Sequence, residues 1–159
     1  MKITIVCAGR LKEKYLTAGV QEFLKRLQPM AQAEIREIHE EKMPDNPSEA
    51  ERAQVLAREG ERLLKLVPEQ AYLYVLDVYG KMLSSEELAA SINDLGLQGK
   101  SQLAFLIGGA FGLSAEVRKA ADFRLSFSKM TFTHQMVRLL LVEQIYRAFK
   151  INRGEKYHW

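Results

Sequence analysis

The chain has 159 residues, a net charge of +3, and 47% hydrophobic against 27% charged residues. That composition excludes a disordered chain, and the length suits a single domain over residues 1–159 with a core of its own. The lone Cys7 excludes a disulfide framework and a cysteine-based zinc site. No run reaches the ~18 apolar residues of a spanning helix, and residues 1–10 lack the form of a signal peptide. The expectation is a cytoplasmic protein with neither membrane nor metal as partner.

Residues 3–8 read as a buried first strand, which makes Cys7 an inert thiol. Leu11, Tyr15, Val20, Phe23, Leu24 and Leu27 then recur at helical spacing and stop before Pro29. Residues 33–39 alternate apolar and charged side chains, as a more exposed strand does, and leave His39 solvated. Residues 40–48 hold Pro44, Asp45, Asn46 and Pro47 and form a loop. Ser48 caps the next helix, which runs to about Leu66 with Val55, Leu56, Leu63 and Leu66 as its stripe. Residues 71–78 are nearly all apolar, the mark of a strand covered on both faces. Ser84 and Glu87 make a capping box for a helix that ends near Gly96. Residues 102–107 form another buried strand that runs into Gly108-Gly109-Ala110-Phe111-Gly112, and Ser114 begins a short helix. Residues 123–127 are a short strand, 128–133 a polar loop, and 134 to about 152 a long helix ended by Gly154.

Strand and helix alternate throughout, which predicts an α/β fold: a mostly parallel sheet with helices on both faces. Such folds bind ligands beyond the carboxyl ends of strands, here after Leu76, Ile107 and Phe127. The glycine turn at 108–112 is neither the dinucleotide fingerprint nor a Walker loop. Charge is uneven, with +5 over residues 124–159 and −2 over the rest, which points to a localised anionic partner. Along the last helix, His134 and Arg138 share a face, while Glu143 and Arg147 are spaced to pair on the surface. Its apolar positions, from Met136 to Phe149, cover more than one stripe, and the excess suggests packing against a second subunit.

Residues 125–138 (Leu-Ser-Phe-Ser-Lys-Met-Thr-Phe-Thr-His-Gln-Met-Val-Arg), then Glu143-Gln-Ile-Tyr-Arg-Ala-Phe-Lys-Ile and the closing Gly154-Glu-Lys-Tyr-His, resemble the RlmH (YbeA-type) family. The resemblance extends over the whole chain through Lys2-Ile-Thr-Ile, Leu11-Lys-Glu-Lys-Tyr15, Gly80-Lys-Met-Leu-Ser-Ser85 and Phe105-Leu-Ile-Gly-Gly109. These are SPOUT-class methyltransferases that act on a pseudouridine of 23S rRNA. Two positions depart from the family pattern. Thr133 replaces the usual proline, implying a looser helix start, and Ala110-Phe111 is a variant of the glycine turn.

The resemblance implies a trefoil-knotted α/β fold, a homodimer, and S-adenosylmethionine held at Leu76, Gly108 and the loop Phe127, Ser128, Lys129, Met130, Thr131 and Phe132. The implied reaction moves a methyl group to N3 of pseudouridine on assembled ribosomes. His158 or His134 could take the imide proton, or a nearby cation could stabilise the anion. Arg138, Arg147, Arg153 and Tyr157 are candidates for phosphate contact and base stacking, with fold or dimer support as the alternative for each. A non-catalytic ribosome-associated RNA-binding or assembly protein is the competing function. A nucleotide-binding redox domain is disfavoured by the missing fingerprint.

Overall fold

The computed structural model describes residues 1–158. Its elements are β1 (Lys2–Ala8), α1 (Lys14–Leu27), β2 (Gln32–Ile38), α2 (Glu49–Leu64), β3 (Tyr72–Met82), α3 (Ser85–Leu97), β4 (Gln102–Ile107), α4 (Ala115–Ala120), β5 (Phe123–Ser126) and α5 (His134–Asn152). The strands lie in the order β2-β1-β4-β3-β5, and every pairing is parallel. The sheet is therefore wholly rather than mostly parallel.

The apolar runs are continuous because both faces of the sheet are covered. Side chains alternate between the faces. Ile3, Ile5, Cys7, Tyr74 and Phe105 point into a core shared with α1, α3 and α5. Val6, Ala8, Val75 and Leu106 point into a second core beneath α2 and α4. In the first, the Tyr74 and Phe105 rings stack 4.7 Å apart and the Tyr74 hydroxyl meets Ser91 Oγ at 2.6 Å. Both Ser-x-x-Glu sequences form reciprocal capping boxes, at Ser48–Glu51 and Ser84–Glu87.

Three elements differ from expectation. α1 begins at Lys14, after an extended Glu13, so Leu11 precedes it. β3 continues past Val78, because its pairing with β5 breaks after Leu76 and resumes at Lys81. Residues 77–80 loop out between, and a Cβ at Gly80 would stand 2.5 Å from the Arg124 carbonyl oxygen, so only glycine lets the two strands rejoin there. Thr133 does not loosen α5: its side-chain oxygen accepts the Met136 N–H at 3.2 Å and caps the helix.

Most of the apolar excess of α5 is met inside the chain. The helix lies between α1 and α3 against the sheet, and residues 134–151 are all buried or half-buried. Gly19 of α1 makes room for Leu139, whose Cδ1 would come within 2.9 Å of an added Cβ. Met136 and Leu140, half-buried and outside both core clusters, are the part of the excess left for a second subunit. The large exposed apolar side chains are elsewhere, and apart from Leu97 they gather at the carboxyl edge of the sheet: Tyr15, Val78, Tyr79, Met82, Phe111, Met130 and Phe132.

Candidate active site

β3 leads into α3 on one face of the sheet and the neighbouring β4 leads into α4 on the other. Their carboxyl ends part, and a crevice opens where they do. A cleft of about 1050 Å³ lies there, walled by residues 76–79, 107–113, Leu125, Phe127 and Ser128, and 130–135, with Glu13 before α1, Tyr15 and Leu16 from α1, Arg52 and Leu56 from α2, Arg118 from α4 and Val137 from α5. It brings together Leu76, Gly108, Phe127, Ser128, Met130, Thr131 and Phe132, the positions singled out for the cofactor, and adds His134. Lys129 belongs to the same loop but is not part of the wall.

The glycine turn closes on itself, with a bridge between Gly109 and Gly112 and a Gly112 N–H···O Gly109 bond of 3.3 Å. A Cβ at Gly108 would meet Leu113 Cδ2 at 2.6 Å and the Gly112 carbonyl at 3.0 Å. Closure of the turn is therefore itself a reason for glycine at 108. Gly112 has φ +96°, a conformation other residues rarely adopt. The loop after β5 is pinned by its own serines: Ser126 Oγ donates to the Ser128 carbonyl at 3.0 Å, and Ser128 Oγ accepts the Met130 N–H at 3.0 Å.

Asp77 forms a buried anchor where β3 enters the cleft. It is 5% exposed and accepts from Arg118 Nε at 3.0 Å, Arg124 Nη1 at 3.4 Å and the Tyr79 N–H at 3.1 Å. These contacts fix the excursion that carries Val78 and Tyr79 over the cleft. Asp77, Arg118 and Tyr79 were not among the expected site residues. The signal was an acid closing an otherwise apolar strand.

His134 Nε2 lies 2.9 Å from Glu40 Oε1, which joins the first turn of α5 to the chain leaving β2. One turn on, Arg138 is 1% exposed. Its guanidinium donates to Glu37 and to the Gly9 carbonyl. Arg138 is thus committed to the fold rather than offered to a phosphate. Beside it, burial pushes the Cys7 thiol up to about 12, in keeping with an inert group.

The remaining candidates form a second cluster that is not part of the cleft wall. Arg147 donates to Glu143 at 2.7 and 3.1 Å and stacks its guanidinium 4.7 Å over the Tyr157 ring. The Tyr157 hydroxyl donates to Glu143 at 3.0 Å, and its ring packs edge-on against Tyr146 at 4.8 Å. His158 is held at both ring nitrogens, Nδ1 3.1 Å from Arg147 Nη1 and Nε2 2.7 Å from Glu86. Since Arg147 can only donate, Nδ1 accepts and Nε2 carries the proton toward Glu86. The Glu86 carboxyl is held down at about 2, first by its own backbone N–H and then by His158. Arg153 is half exposed and pairs with Glu155 at 2.7 Å. Among the described residues, no three His, Cys, Asp or Glu side chains are grouped to hold a metal, and no helix is long and apolar enough to cross a membrane.

A family model described as "Predicted SPOUT methyltransferase" matches residues 1–158. The chain is 55% identical to a protein of Halothermothrix orenii, 54% to one of Clostridium novyi and 53% to one of Moorella thermoacetica, each over 158 residues and 99% of both sequences. All three are named ribosomal RNA large subunit methyltransferase H. Two solved structures share the fold at 13% identity. A probable methylase family protein from Haemophilus influenzae Rd KW20 has a TM-score of 0.51, covering 99% of this chain and 70% of that one. A tRNA (m1G37) methyltransferase from Aquifex aeolicus has a TM-score of 0.52, covering 92% and 69%. The cleft at the parted strand ends, the full-length family match and the identity of more than half over nearly every residue lead to one assignment: this chain belongs to the SPOUT methyltransferases, and within them to the ribosomal RNA large subunit methyltransferase H family.

Proposed function

We propose that the protein methylates N3 of a pseudouridine in 23S rRNA of the assembled ribosome, using S-adenosylmethionine and acting as a homodimer with the family's trefoil knot. The observation that carries this is the convergence of Leu76, Gly108 and the 127–132 loop on one cleft, in a chain whose relatives of 53–55% identity are named rRNA methyltransferases.

The residues present suit the donor. Leu76, Phe127 and Met130 offer apolar cover to a nucleoside, and loop amides and carbonyls can satisfy its polar edge. The 1050 Å³ volume sits at the top of the ~300–1,000 Å³ typical of small-molecule sites, which leaves room for a nucleobase beside the donor. When bound, S-adenosylmethionine supplies an electrophilic methyl group on a sulfonium. The protein then has to align the imide nitrogen and accept its proton. His134 is the histidine in the cleft wall, and with Nε2–H turned to Glu40 its Nδ1 is the nitrogen left to accept. His158 lies outside the wall of its own chain's cleft, so in this reading it takes a proton only in a partner's cleft and only once Nδ1 is released from Arg147. The exposed apolar rim from Tyr15 to Phe132 is the surface suited to a second copy. In this reading Arg153 and Lys156, on the +5 segment, contact phosphates, and the Arg147–Tyr157 pair offers a stacking surface once it turns from Glu143.

The test is methyl transfer from labelled S-adenosylmethionine to naked 23S rRNA, isolated large subunits and whole ribosomes, with the product nucleoside identified by mass spectrometry. N3-methylpseudouridine formed on whole ribosomes supports the proposal. A purified protein that binds ribosomes but neither S-adenosylmethionine nor its demethylated product would overturn it in favour of a non-catalytic RNA-binding role.

A further inference from the structure

α2 comes closer to the carboxyl edge of β4 than ordinary side chains would permit. A Cβ at Gly60 would lie 2.5 Å from Ser114 Oγ and 2.8 Å from Val117 Cγ2, so glycine is what lets α2 rest on the start of α4. That contact seats the residue before it. Glu59 is 6% exposed and lies on the apolar stripe, four residues from buried Val55 and four from buried Leu63. Its Oε1 accepts the Gly109 N–H at 3.2 Å.

Nothing about packing calls for an acid here. A buried carboxylate is costly unless hydrogen-bonded, and the charged groups that face it, Glu40 and Glu41, carry the same sign. Burial and these neighbours push the Glu59 carboxyl above the usual range. What the side chain accomplishes is local. It fixes an amide of a turn that contains Gly108, Gly109 and Gly112, where the backbone has the most freedom to lose.

We propose that Glu59 is a positioning residue for the cofactor turn: its carboxylate holds the Gly109 amide, and so sets residues 108–112 in the shape that receives the methyl donor. The inference rests on the methyl-donor assignment above and adds a residue outside the cleft wall to it. Reach matters more than charge. Glu59→Gln keeps an acceptor at full length for Gly109, whereas Glu59→Asp keeps the charge but withdraws the acceptor by one methylene.

Titration calorimetry with S-adenosylhomocysteine as probe, beside thermal unfolding without ligand, decides the matter. Glu59→Gln is expected to bind within about 3-fold of wild type and Glu59→Asp at least about 10-fold more weakly, a difference of ~1.4 kcal/mol. In turnover, Glu59→Asp should raise KM for S-adenosylmethionine and leave kcat at saturating donor within about 2-fold. Equal binding by Glu59→Asp and wild type overturns the inference. So does equal weakening of both variants, or failure of either to fold, since Glu59 would then be holding the fold and not the turn. A wild-type protein that does not bind the probe removes the methyl-donor assignment, and this inference with it.

Discussion

Arg138→Met separates a fold role for Arg138 from a role in RNA contact. The wild-type side chain is among the largest fully buried ones, and its Nε has no hydrogen-bond partner among the described residues. Its two working contacts are the Glu37 carboxylate and the Gly9 carbonyl. Charge-assisted hydrogen bonds contribute ~1.5–3 kcal/mol each, but methionine avoids the cost of burying a guanidinium and fills most of its volume. The Glu37 side chain is 33% exposed and can rehydrate once freed. The expected net loss is therefore ~2 kcal/mol, or about 4–8 °C in Tm for a chain of this size. Adding Glu37→Leu should change stability little further, because the freed carboxylate is already hydrated. Urea unfolding of the two variants measures both quantities. In ribosome binding, the slope of log K against log salt should stay at the wild-type value. An unchanged unfolding midpoint together with a slope reduced by about one phosphate would refute the reasoning, because Arg138 would then be an RNA contact.

Gly80→Ala places a Cβ 2.5 Å from the Arg124 carbonyl, a backbone atom that cannot swing aside. Overpacking of this kind costs ~1–3 kcal/mol, and because residues 77–79 line the cleft, binding of S-adenosylhomocysteine should fall at least about 5-fold. Calorimetry showing wild-type affinity in the folded variant would mean that the 77–80 excursion does not shape the site. A third prediction concerns pH. The Glu86 carboxyl is held down to about 2, first by its own backbone N–H and then by His158, so the stability these contacts give is complete above the ordinary glutamate value of ~4.3 and is lost as pH falls through about 2. Carbon-13 titration of the Glu86 carboxyl should show a midpoint near 2, moving toward the ordinary range in His158→Ala. A midpoint near ~4.3 in the wild type would show that His158 does not hold it.

Much of the architecture was legible because the signals were local. The Ser48 cap, the Ser84–Glu87 capping box, the glycine turn and the 134–152 helix follow from short patterns whose physics is complete within a few residues. What was not legible depends on partners distant in sequence. The extension of β3 requires Arg118 and Arg124 to converge on Asp77, and Gly80 to admit a strand 44 residues away. How much of the apolar excess of α5 the chain itself absorbs was not legible, because a single helix does not disclose that it will be flanked on both sides, by α1 and by α3. Arg138 read as a surface cation through its spacing from His134, but its i,i+4 neighbour shares a helix face that β2 and the segment after it cover. Glu59 did carry a signal, a carboxylate on the stripe of Val55 and Leu63, and its meaning emerges only once Gly109 stands beside it.

The two clusters of candidate residues have opposite characters, and that bears on how the site is completed. The cleft is apolar and glycine-rich, rimmed by exposed Tyr79, Phe111, Met130 and Phe132. The tail cluster is ionic and interlocked, with Glu143, Arg147, Tyr157, His158 and Glu86 satisfying one another. Neither suffices for transfer to RNA. The cleft can shelter a donor but holds only Arg52 and Arg118 as cations in its wall, while the tail cluster carries cations and aromatic faces outside that wall. The tail's hydrogen bonds hold His158 and Tyr157 against α3 and α5, which gives them a fixed geometry before any ligand arrives. A preset group of this kind is useful only where its neighbour is equally fixed, and the cleft rim of a second copy meets that condition while a flexible loop would not. Oligomeric state and catalytic competence are on this argument one question: the proposed homodimer is the arrangement in which rigid cleft and rigid tail can face the same nucleotide.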